Sequence, residues 1–146
     1  MTPIDARPDW ADLDRKLVAI LRGIRPEETA ETVEGLLDAG FRAIEVPLNS
    51  PDPFRSIEIA VAVARSAATA PVLIGAGTVL TAEDAARVAG TGAGVVVAPN
   101  TDVAVLRAAR AAGLVAVPGR FPATAALGAV APAGPARKLL LASLRG

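Results

Sequence analysis

Short runs of Val, Ile, Leu and Ala recur along this chain at a step of roughly 20–30 residues, the size of one strand–helix unit. They begin at Leu17, Ala43, Val72, Val95, Leu114 and Leu139. Between them, apolar residues fall at helical spacing over 26–39, 53–67, 82–90, 102–112 and, more weakly, 123–130. The runs show no polar alternation, which predicts a parallel sheet buried on both faces. Strict alternation of this kind builds either a (β/α) barrel or a doubly wound sheet.

Local punctuation agrees with that pattern. Asp38-Ala39-Gly40-Phe41, Gly92-Ala93-Gly94-Val95 and Ala111-Ala112-Gly113-Leu114 each place a glycine between a predicted helix and the next strand, where glycine suits the left-handed turn that ends a helix. Pro26 lies at a helix start. Thr81 precedes Ala82-Glu83-Asp84, a good N-cap followed by acids in the first turn.

The count of units is short of a closed barrel. The pattern has six strands and five intervening helices in 146 residues, whereas a complete barrel has eight of each and needs at least ~200 residues. The chain reads as one domain over 1–146, either an open six-stranded sheet or a barrel missing its last quarter. Composition also changes near the end: from Arg120 to Gly146 there is no Asp or Glu, and Ala, Pro and Gly dominate.

Absent residue types narrow the chemistry. No Cys excludes disulfides, thiolate catalysis and iron–sulfur ligation; no His excludes an imidazole base or metal ligand. No Tyr is present either, so acid–base work falls to carboxylates, lysine, water or the substrate. Only Lys16 and Lys138 are available for covalent amine chemistry. Lys+Arg and Asp+Glu balance at 15 each, so nothing steers the chain to nucleic acid or anionic lipid. At 52% hydrophobic residues and a mean hydropathy of +0.44, it is too apolar for a disordered chain. No apolar run reaches the ~18 residues of a spanning helix, so no membrane partner is expected. The acidic, polar start has no signal-peptide core, and a cytoplasmic location is the expectation.

In a barrel, function sits where strands end. Arg22-Gly23 follows the first run, and Glu45 stands inside the second, in Ile44-Glu45-Val46-Pro47. A carboxylate within an apolar strand must be paired, hydrogen-bonded or shifted in pKa; it is either a structural or solvent-facing group or a functional one. The third run leads into Gly75-Ala76-Gly77-Thr78, which lacks the endings of a P-loop or a dinucleotide fingerprint. It reads as a tight turn, or as a loop bringing backbone N–H groups and the Thr78 hydroxyl to a small oxyacid. Arg22 is either a surface charge or a fork for a carboxylate or phosphate. Lys138 opens the sixth run, where it either faces solvent or, desolvated, attacks a carbonyl. Lys16 precedes the first strand, at the wrong end for chemistry. Arg107 and Arg110 belong to a solvated helix face.

Four blocks carry a resemblance: Ala19-Ile20-Leu21-Arg22-Gly23, Ile44-Glu45-Val46-Pro47-Leu48-Asn49-Ser50-Pro51, Gly75-Ala76-Gly77-Thr78-Val79-Leu80 and Ala98-Pro99-Asn100. Together, and in this order, the chain from about Lys16 to Gly119 resembles the KDPG/KHG aldolase family. The resemblance implies a TIM (β/α)8-type barrel, here incomplete, with about six βα units present and the last two missing. It implies class I aldolase chemistry without metal or organic cofactor. Lys138 corresponds to the Schiff-base lysine and Glu45 to the residue that moves protons. Arg22 and Thr78 correspond to positions that hold the acid end of the substrate, and Asn49 and Pro99 are further substrate-binding candidates. The Pro47-Leu48-Asn49-Ser50-Pro51 block resembles the branch that cleaves 2-dehydro-3-deoxy-6-phosphogalactonate to pyruvate and glyceraldehyde 3-phosphate. The alternatives are the 2-dehydro-3-deoxy-phosphogluconate or 4-hydroxy-2-oxoglutarate aldolase, or an inactive, truncated member. The implied partner is a small phosphorylated keto-deoxy sugar acid, and a homo-oligomer, a trimer in the family, is expected.

The sequence departs from the family pattern in its last part. Lys138 stands in Arg137-Lys138-Leu139-Leu140-Leu141 where the family has Leu-Lys-Leu/Ile-Phe-Pro. Pro122, Pro132 and Pro135 enter the stretch that should be the fifth helix. The units whose loops commonly hold phosphate in this barrel class are missing. An acid-free tail and an early stop are the expected signature of a shifted reading frame after Gly119. Leu17–Leu21 and Leu139–Leu141 are then expected as sheet edges.

Overall fold

The computed structural model describes residues 13, 17–100, 102–120 and 138–139. Strands and helices alternate from β1 to β5 as the apolar runs predict, and a sixth strand follows: β1 (Ala19–Ile20), α1 (Pro26–Asp38), β2 (Ala43–Pro47), α2 (Pro53–Ala67), β3 (Leu73–Gly77), α3 (Ala82–Gly90), β4 (Val95–Ala98), α4 (Val103–Ala111), β5 (Val115–Arg120) and β6 (Lys138–Leu139). The predicted helix over 123–130 and Lys16 lie outside the described residues.

The helix ends have local causes. Pro26 and Pro53 open α1 and α2, where a missing N–H costs nothing. The Thr81 hydroxyl accepts a hydrogen bond from the Asp84 N–H at 3.1 Å, and Asp102 Oδ1 accepts from the Ala104 N–H at 2.8 Å. Arg107 and Arg110 lie on the exposed face of α4.

All six described strands run parallel, and their order in the sheet is their order in the chain. This is the α/β-barrel arrangement of strands, with β1 and β6 at its two ends among the described residues. Register assigns each residue to a face. Ile44, Val46, Ile74, Ala76, Val96 and Ala98 meet the helices, where Val33, Ile57, Val88 and Leu106 complete the main core. Ile44, Ile57 and Leu106 are fully buried, each contributing about 1.5–3 kcal/mol before the entropy of ordering is counted. The opposite, inward face carries Ala43, Leu73, Val95, Val97 and Val117, closed over by Leu13.

One expectation needs correction. Gly75-Ala76-Gly77 is not a loop or a turn; it is the buried C-terminal half of β3. Only Thr78 lies beyond the strand. A Cβ at Gly75 would strike the backbone and side chain of Val95, so this glycine lets β4 close on β3.

Candidate active site

Glu45 is the centre of the inward face. It pairs in register with Gly75, which pairs in turn with Val95, and its side chain is 2% exposed. The solvent-facing reading of this carboxylate is therefore excluded. The side chain extends toward the C-terminal ends of the strands, where its carboxyl group lies against Gly77, in the space a Cβ there would occupy.

The loop after β1 and the loop after β2 are tied together beside it. The Leu21 N–H donates to the Glu45 carbonyl at 2.9 Å, which holds the end of β1 on β2. Gly23, at φ +80°, then turns the chain, and its N–H donates to the Ser50 hydroxyl at 3.0 Å. Arg22 Nη1 donates to Asn49 Oδ1 at 3.1 Å. Ser50 is buried, whereas Arg22 and Asn49 are exposed. The part-buried hydrogen bond fixes the turn; the exposed one aims the guanidinium along the rim.

Thr78 follows Gly77 in the left-handed region at φ +55°, which is rare for a β-branched residue. Its neighbours hold it there. The Leu48 N–H donates to the Gly77 carbonyl at 2.9 Å, the Val79 N–H donates to the Val97 carbonyl at 3.3 Å, and Val79 is fully buried. Backbone strain retained by such anchors is a feature of functional sites.

The remaining candidates spread along the same end of the sheet. Pro99 and Asn100 are exposed just past β4. Lys138 pairs with Gly119, two residues beyond Val117 on β5, so its register position belongs to the same sheet face as Glu45. Arg22, Asn49, Glu45 and Thr78 thus cluster over β1–β3, Pro99 lies past β4, and Lys138 stands at the β6 end. Ser50 and Gly77 were not predicted as site residues. Both lie inside the blocks that carried the resemblance, but only their tertiary neighbours reveal what they do.

A cavity of about 620 Å³ opens on the outer side of β1, lined by Arg22, Gly23 and, from α1, Glu27, Glu28 and Glu31. Its three carboxylates repel an anionic ligand, and neither Glu45 nor Thr78 borders it. Of Arg22, Glu45, Asn49, Thr78 and Pro99, only Arg22 lines it. Among the described residues no group of three or more acidic side chains converges on a place where a metal ion could bind. No helix among them is long and apolar enough to cross a membrane.

Comparison with known proteins adds an independent line. The family model for KDPG and KHG aldolases matches residues 13–134. A probable 2-dehydro-3-deoxy-6-phosphogalactonate aldolase of Rhizobium meliloti (strain 1021) is 49% identical over 134 residues, covering 92% of this chain and 61% of that protein. The 2-dehydro-3-deoxy-6-phosphogalactonate aldolase of Escherichia coli (strain K12) is 41% identical, covering 89% of this chain and 62% of that one. A solved native KDPGal structure superimposes with a TM-score of 0.80 at 40% identity, covering 91% of this chain and 63% of its own. The chain thus spans somewhat less than two thirds of the length of the relatives it matches.

Proposed function

The chain belongs to the KDPG and KHG aldolase family, and on that premise we propose that it is a class I aldolase for 2-dehydro-3-deoxy-6-phosphogalactonate. The substrate follows from the names of the two curated relatives and from the Asn49-bearing loop after β2. The observation that carries the catalytic reading is the buried Glu45 carboxylate at the C-terminal end of a parallel sheet, on the face to which Lys138 belongs by register.

The Lys138 amine attacks the C2 ketone, and loss of water leaves a protonated imine. Glu45 removes the proton of the C4 hydroxyl. The C3–C4 bond breaks, its electron pair passes into the imine, and glyceraldehyde 3-phosphate departs. The protonated Glu45 returns its proton to C3 of the enamine, and water hydrolyses the resulting imine to pyruvate and free lysine. Arg22 and the Thr78 hydroxyl hold the carboxylate of the substrate, and Asn49 orients Arg22. Pro99 shapes the wall beyond β4. The same reading includes assembly as a homo-oligomer, which sedimentation of the purified chain tests.

Borohydride reduction in the presence of pyruvate tests the covalent step directly. The expected result is a reduced pyruvyl adduct, located by peptide mapping on Lys138 and absent from Lys138→Arg. A folded chain without an adduct is an inactive family member. Adduct formation with faster cleavage of the gluconate than of the galactonate epimer would assign the chain to the other branch.

A further inference from the structure

We propose that Gly77 is a positioning residue for the Glu45 carboxylate, reserving by its missing side chain the place that carboxylate occupies. The inference rests on the proton-transfer role assigned to Glu45 above.

Glycine at 77 is not explained by backbone freedom. The described glycines with left-handed φ are Gly23, Gly40, Gly92 and Gly113; Gly77 is an ordinary strand residue paired with Pro47. Strands disfavour glycine in such places. Nor is it explained by strand packing, as Gly75 is. The three atoms nearest to a Cβ built at Gly77 are Oε2, Cδ and Oε1 of Glu45, all from one carboxyl group. At Gly75 the corresponding atoms belong to Val95. Two glycines of one motif therefore act differently: Gly75 lets two strands approach, and Gly77 accommodates a functional group.

The strand cannot retreat from an added methyl group. The Gly77 carbonyl is held by the Leu48 N–H at 2.9 Å, and the next anchored residue, Val79, is fully buried and bonded to the Val97 carbonyl. The Glu45 side chain must move instead. The carboxylate then leaves its place against Gly77, while the Arg22–Asn49 hydrogen bond, carried by other loops, is undisturbed. Proton transfer suffers and imine formation does not.

The test uses the full chain and two readouts: exchange of solvent deuterium into the pyruvate methyl group, which requires enamine protonation, and borohydride trapping, which requires only the imine. Gly77→Ala is expected to slow exchange by about 10–100-fold, the usual effect of misplacing a reacting group by up to 1 Å, with trapping unchanged. Glu45→Asp withdraws the carboxylate by one methylene, so adding Gly77→Ala to Glu45→Asp should slow exchange no further. Parent-rate exchange in Gly77→Ala, or a loss that multiplies with that of Glu45→Asp, would overturn the positioning role. Parent-rate exchange in Glu45→Gln would overturn the proton-transfer reading, and this inference with it. Urea unfolding supplies a check independent of activity: Gly77→Ala should lower the midpoint less in the Glu45→Asp background, and an equal drop in both would again refute the contact.

Discussion

Arg22 and Asn49, which are 27 positions apart in the chain, share a hydrogen bond of 3.1 Å between the guanidinium and the amide oxygen at the mouth of the sheet. Both side chains are exposed, so the bond adds little to stability. Its effect is to choose one direction for a long, flexible cation. Asn49→Ala should therefore leave the urea midpoint nearly unchanged and raise KM for the sugar acid by roughly 3–10-fold, the size of one modest hydrogen bond. Steady-state kinetics with the galactonate epimer measures this; an unchanged KM would show that Arg22 needs no guide.

Ser50 should behave in the opposite way. Its buried hydroxyl accepts the Gly23 N–H at 3.0 Å. Ser50→Ala removes the acceptor of a part-buried bond, whose donor on exposed Gly23 can turn to water, at a cost of about 0.5–1.5 kcal/mol. Chemical unfolding should show this loss clearly, and Ser50→Thr, which retains the hydroxyl, should recover part of it.

Glu45→Gln keeps the shape of the side chain and removes its capacity to accept a proton. Imine trapping with pyruvate should survive, whereas cleavage of the sugar acid should fall by about 10²–10⁴-fold, the usual contribution of a general base. Equal loss in both assays would indicate instead that the variant is misfolded.

Thr78 holds a conformation that costs an L-residue roughly 1–2 kcal/mol, and glycine escapes that cost while losing about 0.5–1 kcal/mol to its freer unfolded state. Thr78→Gly should then be as stable as the parent or more stable by about 0.5 kcal/mol. Pyruvate binding should nevertheless weaken, because the hydroxyl is gone. A simultaneous fall in stability and binding would show that Thr78 is held by contacts of its own side chain.

The start of α1 should make stability depend on acidity. Glu28 accepts hydrogen bonds from the Arg25 guanidinium at 2.8 Å and from the Arg25 N–H at 3.1 Å. The side-chain bond to Arg25, then the backbone bond, hold the Glu28 carboxyl below its usual range, and Arg25 is raised in return. A carboxyl whose pKa is lower in the folded state stabilises the fold fully above its unfolded value, near 4.5. That stabilisation is lost as the pH falls through the lower, folded value. Glu28→Gln should flatten this acid limb in urea titrations at stepped pH, with little effect near neutrality.

The elements were legible wherever their causes are local. Pro53 and Gly90 bound α2 and α3 as predicted, because a ring at the helix start and a cap such as Thr81 act within one turn. Glu45 stood out because a charge in an apolar strand has few explanations. In the sequence alone Gly75 and Gly77 mark a turn, because glycine most often does; Val95 and Glu45 overrule that habit from neighbouring strands. Ser50 is silent in the sequence for a related reason. Nothing near it in sequence shows that its hydroxyl meets Gly23. The Lys138 reading rests on alignment and on the register of β6 with β5.

Because strand order in the sheet repeats strand order in the chain, folding can follow synthesis. Each strand emerges from the ribosome to find its neighbour already made, and no pairing awaits a distant segment among those described. Each pairing from β1 to β5 still closes a loop of one helix, the short crossover that parallel neighbours require. The same ordering sets a schedule for the site. The Glu45 carboxyl group gains its place against Gly77 only when β3 pairs with β2.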